Sequence, residues 1–160
     1  MKPPSGRIET GVTPVEGLKI INLWETRPTL PDAGVDVHGA PARGLPLHTN
    51  GHLGADMLHV AAGKQFPVHT HPGDHLLYCL SGEGTMSIAG KTYRIFPGDL
   101  YMVDGEVPHA VGAITDHVIV AIGSPHKPVD SPERMTFVDW TGRLVDTPLL
   151  ATDPVPPPEA

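Results

Sequence analysis

The sequence predicts a single all-β domain, and three observations carry that prediction. Short segments rich in Val, Ile, Leu, Thr and Tyr recur through the middle of the chain. Glycine and proline punctuate them, and no stretch sustains a helical periodicity. The 160 residues include 18 glycines and 19 prolines, a proportion suited to many tight turns between short strands. A chain of this length builds one domain around one sizeable core.

Taken in order, the candidate strands are Lys19–Trp24, Ala55–Ala61, Pro67–Thr70, His75–Ser81, Gly84–Ala89, Thr92–Ile95, Leu100–Val103, His109–Gly112 and His117–Gly123. Gly63, Pro72-Gly73, Gly82, Gly90, Pro97-Gly98, Asp104-Gly105 and Pro108 mark the breaks between them. So many short strands in close succession predict a sandwich or small barrel, in which closure also removes exposed edges. The stretch "RPTLPDAGVDVHGAPARGLPLHTNGH" reads as irregular cover or a partner-exchanging segment. "MTFVDWTGRLV" predicts one more strand pair, packing Phe137 and Trp140 onto the strands before it. The tail "DTPLLATDPVPPPEA" has the composition of a disordered or polyproline end.

Charge and cysteine content narrow the function classes. The formal net charge is −7 and no basic run exists, which predicts neither a nucleic-acid footprint nor an anionic-membrane patch. The single cysteine, Cys79, excludes an intramolecular disulfide. The amino-terminal residues lack the apolar region of a signal peptide, and no apolar run is long enough to span a bilayer. The expectation is a cytoplasmic protein.

The chemistry concentrates in "GKQFPVHTHPGDHLLYCLSG", where His69, His71 and His75 fall within seven residues. Residues two apart on a strand project to the same side, so His69 and His71 point together. Pro72-Gly73 supplies a turn, and His75 opens the next strand beside them. Neutral imidazole is a good donor for first-row divalent metals, and a metal needs donors converging from neighbouring strands. His109, which follows Pro108, is the best offer of a fourth donor. His38, His48, His52, His117 and His126 read as solvated loop residues, and His59 as structural.

The spacing Gly63-x5-His69-x-His71-x3-His75-x6-Gly82 resembles the first motif of the cupin family, G-x5-H-x-H-x3,4-E-x6-G. The stretch "GDLYMVDGEVPHAV" resembles the second, G-x5-P-x-G-x2-H-x3-N, with the spacing to His109 kept. Asp104, Glu106 and Ala113 stand where that motif has Pro, Gly and Asn, and His75 stands where most cupins carry a glutamate ligand. The resemblance implies a cupin-type double-stranded β-helix, or jelly-roll barrel. Its metal ligands would be His69, His71, His75 and His109, an all-histidine set, with His75 either a direct ligand or a neighbour of a three-histidine metal. The cofactor implied is one divalent transition metal per chain: Fe, Mn, Ni, Cu or Zn. Around that barrel, residues 1–52 divide off as an irregular amino-terminal segment with one or two strands, covering the barrel or exchanged in a dimer. Residues 53–124 form the barrel, and 125–160 a carboxy-terminal extension with a proline-rich, disordered end.

An all-imidazole shell leaves the metal's charge uncompensated and favours an anionic ligand. Strand alternation places Leu77, Cys79 and Val111 on the interior side, joined by Leu58 and Phe66, as an apolar substrate wall. Asp56, inside the apolar run "ADMLHV", is the candidate acid or base if it faces inward, or a group that orients a ligand histidine. No cluster of Arg or Lys accompanies the motifs to clamp a phosphate. The resemblance to histidine-rich cupins, several of which are dioxygenases, implies first an oxygenase, and the apolar wall a small hydrophobic or aromatic substrate bound through an enolate, diol or carboxylate oxygen. The alternatives are a Lewis-acid cyclase or isomerase, similar to cupin polyketide cyclases, and a non-catalytic small-molecule-binding cupin. The expected partners are the small-molecule substrate and a second copy of the chain as a homodimer, with no nucleic acid and no membrane.

Overall fold

The computed structural model describes residues 17–152. Its strands are β1 (Val35–Asp36), β2 (Ala42–Thr49), β3 (Gly54–Val60), β4 (His69–Thr70), β5 (Asp74–Ser81), β6 (Gly84–Ile88), β7 (Lys91–Ile95), β8 (Leu100–Val103), β9 (His109–Ala113), β10 (His117–Ser124) and β11 (Thr136–Phe137). They form two sheets, in the orders β1-β2-β3-β10-β5-β8 and β11-β4-β9-β6-β7, with every pairing antiparallel. This is the jelly-roll arrangement.

Period-two alternation places one face of each strand inside. Leu58 and Val60 of β3, Leu77 and Cys79 of β5, Val111 of β9 and Ile119 of β10 share one interior cluster with Phe66. The outer face of the larger sheet carries Met57, Leu80, Val118 and Val120. A third cluster, around Val68, Ala110 and Val138, takes in Trp140 and Leu149 from the chain after β10. Trp140 thus packs on the outside of the smaller sheet, while Phe137 packs against the interior cluster.

The strand expected at Lys19–Trp24 is not formed. Asn22 caps a single helical turn, α1 (Leu23–Thr26), its Oδ1 accepting from the Trp24 and Glu25 backbone N–H groups at 3.0 and 3.1 Å. An Asn side chain that satisfies free helix N–H groups outcompetes a ladder for this segment. Leu23 and Trp24 are then laid on the outer face of the larger sheet.

β2 runs for eight residues through the stretch read as irregular cover. Its density of Gly and Pro hides it, yet each is tolerated locally. Gly44 lies beneath Val129, where an added Cβ would overlap that side chain. Pro46 falls beyond the two-residue β1, so its missing N–H faces an open edge. The first sixteen residues and the proline-rich end after residue 152 lie outside the described residues. Among the described residues no helix is long and apolar enough to cross a membrane.

Gly82, in the turn from β5 to β6, has φ +71°, and a Cβ there would land on the backbone carbonyl of Asp116. Gly82→Ala is therefore expected to destabilise the protein by about 2–4 kcal/mol, from left-handed strain plus a clash with rigid backbone. A urea titration checks it, and an unchanged midpoint would refute the close approach.

Candidate metal centre

The ladder itself assembles the histidines. His69 of β4 is the direct cross-strand partner of His109 of β9, so their imidazoles start from facing positions. His71 projects to the same side two residues on. The ring centroids of His69 and His109 are 4.4 Å apart, those of His71 and His109 4.8 Å, and those of His69 and His71 5.9 Å. One nitrogen from each of the three lies within 4.8 Å of the others, and all three residues are buried.

Hydrogen bonding decides which nitrogen that is. Nδ1 of His69 meets the Pro67 carbonyl at 2.7 Å, Nδ1 of His109 the Val107 carbonyl at 2.7 Å, and Nδ1 of His71 the Gly73 carbonyl at 3.0 Å. A carbonyl only accepts, so each Nδ1 carries the proton and each Nε2 presents a lone pair. Nε2 of His71 is buried with no hydrogen-bond partner. Three lone pairs aimed at one buried point repel one another unless a cation sits between them, and backbone carbonyls behind the rings are the usual support of metal-binding imidazoles. The donor set fits a divalent metal.

Burial sets the electrostatics. It pushes His69 well below the usual imidazole range, helped by the neighbouring His109, and lowers His71 against the opposing pull of the Gly73 carbonyl. His109 falls to about 4, mainly from burial. His75 falls to about 3, from burial and then from His71 and Arg134. All four are neutral at pH 7, the form that binds metal. Each has a folded pKa below its unfolded value, so the unfolded state binds more protons in between. The stability they confer is fully present above about pH 6.5. It is lost as pH falls toward 4 and then 3. The urea midpoint of metal-free protein is expected to drop steadily from pH 7 to 4. A flat profile would show that the imidazoles are not held neutral.

His75 is the stacked neighbour of His71, with centroids 3.8 Å apart and planes at 16°. It does not join the group of three whose nitrogens converge. Asp74, beside it, accepts from the Gly105 N–H at 3.2 Å and so braces the turn that carries the second motif. The Gly105 carbonyl in turn accepts from His71 N–H at 2.9 Å.

Residues 56–123 match the cupin domain family. That segment is a cupin domain. A stretch of the chain is 41% identical over 56 residues to the L-ectoine synthase of Vibrio cholerae serotype O1, covering 33% of this chain and 41% of that protein. It therefore spans about two fifths of the length of such a curated relative. Among solved structures, ectoine synthase from P. lautus superposes with a TM-score of 0.54 at 23% identity, covering 68% of this chain and 78% of that one. The polyketide cyclase RemF from Streptomyces resistomycificus superposes with a TM-score of 0.54 at 20% identity, covering 68% and 80%. At such identities the superpositions establish the shared fold.

The predicted pocket residues divide by position. Leu58, Phe66, Leu77 and Val111 are buried in the interior cluster, with the Phe66 ring centroid 6.0 Å from that of His69. Cys79 lies about 13 Å along β5 from His75, at the rise of an extended strand. Its Sγ faces Ser81 O, Gly82 O and Nδ1 of His117. Burial pushes its thiol up to about 11, which keeps it protonated and unreactive.

Asp56 shares the interior face of β3 with Leu58 and Val60 and is 1% exposed. Its Oδ2 accepts from Arg134 Nη1 and from Nε2 of His126, both at 2.8 Å. The reading of His126 and His117 as solvated loop residues is therefore corrected. His126 is only 12% exposed in its side chain and is tied to Asp56, and His117 is fully buried against Ser81 and Cys79. Arg134, from the chain after the barrel strands, is a buried cation beside Asp56 that the sequence reading did not single out. The available signal was Asp56 itself, because a carboxylate within an apolar strand requires a buried donor. Nothing in the spacing names that donor.

A cavity of about 630 Å³ lies elsewhere, bordered by Leu18, His48, Leu53, Gly54, Ala55 and Ile122, with none of the four clustered histidines in its lining.

Proposed function

We propose that this protein is a metal-dependent enzyme of lyase or cyclase type, acting without redox change on a small organic substrate. The observation that carries the reading is the convergence of three Nε2 lone pairs, from His69, His71 and His109, at one buried point. A divalent metal held there would supply Lewis acidity, polarising a carbonyl or carboxylate oxygen of the substrate.

The chain's own residues do the rest. Backbone carbonyls behind each ring hold the imidazoles in one tautomer and one orientation. Leu58, Phe66, Leu77 and Val111 line the interior and exclude water. His75, neutral and stacked on His71, fills the flank of the site. Asp56 is held between two donors, which suits it to positioning more than to proton transfer.

The order of the two enzyme expectations is thus reversed. The similar proteins named above are a synthase and a cyclase, and they lend the oxygenase reading no support. The test is elemental analysis of protein purified without chelators or affinity metal, followed by reconstitution with Zn, Fe, Mn, Ni or Cu. About one metal per chain, with turnover that is indifferent to oxygen, supports the reading. Absence of metal uptake overturns it, and oxygen consumption coupled to turnover restores the oxygenase. The homodimer belongs with this proposal. Leu100 and Met102, 63% and 69% exposed on the outer face of the larger sheet, offer the surface that a second copy would cover, and light scattering decides it.

A further inference from the structure

We propose that Arg134 is the group by which this site holds a carboxylate of its substrate, positioned by Asp56 and His126, so that the substrate is a small organic acid. This rests on the metal-dependent reading above and adds the substrate's chemical class.

Arg134 is 7% exposed, and its Nη1 donates both to Asp56 Oδ2 and to the Lys127 carbonyl, each at 2.8 Å. Its Nε and Nη2 have no hydrogen-bond partner among the described residues. A guanidinium offers five N–H groups in a rigid fork that matches a carboxylate in bidentate fashion. One edge of this fork is anchored and the other is unused. Asp56 Oδ1 is likewise buried without a partner, so the ion pair is not saturated from within the protein.

The network also reaches the metal centre. Gly54 and Gly123 are direct partners in the β3–β10 ladder. A Cβ at Gly54 would overlap the His126 ring, and one at Gly123 would overlap the His75 ring. The two glycines thus seat two imidazoles side by side, about one strand spacing of 5 Å apart. His75 stacks on His71, and His126 bonds to Asp56. A continuous line therefore runs from a converging histidine to the Asp56–Arg134 pair. Asp56 balances Arg134, so a divalent ion beside them leaves the site net positive and selective for an anion.

The test is a titration with propionate and with propionamide, followed by NMR, on wild type, Arg134→Lys and the charge-neutral double variant Asp56→Asn, Arg134→Met. The double variant removes both members of the pair, so that no lone buried charge unfolds it. Propionate is expected to bind wild type at least tenfold more tightly than the double variant, with Arg134→Lys between them and propionamide the same in all three. Equal propionate binding in wild type and double variant, or none in wild type, overturns the proposal. The titration is repeated on metal-free protein. A chain that takes up no metal refutes the metal-dependent reading, while the propionate difference still decides the role of Arg134.

Discussion

Replacing Arg134 alone by methionine is expected to lower the free energy of unfolding by roughly 3–5 kcal/mol, because it strands a buried carboxylate. Asp56 is 1% exposed and its two donors are Arg134 and His126. With the guanidinium gone, one donor remains for a charge in a region of low dielectric, and the lost pairing is not repaid by water. The companion double variant, Asp56→Asn with Arg134→Met, should recover most of that loss, since an amide needs no counter-charge. Urea midpoints for the three proteins measure both effects. A loss below about 1 kcal/mol for the single variant would mean the pair is exposed to solvent and worth no more than a surface ion pair.

The second large effect concerns the metal. His69→Ala with His109→Ala is expected to retain less than a tenth of the bound metal of wild type, since it removes two of the three converging nitrogens. Stability should respond as well. A ligand present at a thousand times its Kd stabilises the folded state by about 4 kcal/mol. Wild type should therefore gain several degrees in Tm on adding metal, and the double variant none. A variant that still binds one metal per chain would place the ligands elsewhere. A wild type whose Tm ignores every first-row metal would remove the centre altogether.

These two expectations differ in how far they could be read from residue order. The shared side of His69 and His71 is local and periodic. His69 and His71 alternate on one strand, which spacing shows, while His109 opens a later strand whose motif resemblance marked it and whose pairing with β4 brings it in. The same logic located the barrel strands from Gly54 to Ser124, where alternation and turn residues agree. It failed at Lys19–Trp24, where one Asn side chain redirects the backbone, and at β2, whose Gly and Pro are excused only by what lies next to them.

By itself the sequence determined the all-β class and the shared side of His69 and His71, because short-range periodicity and turn chemistry act within a few residues, and its resemblance to cupins implied the jelly roll. Tertiary structure alone decided that His75 stacks beside the converging three and that Cys79 turns to His117. It alone brought Arg134 and His126 across 78 and 70 residues to Asp56. A buried charge demands a partner, but which one arrives depends on how the chain after the barrel is routed. No local pattern encodes that route.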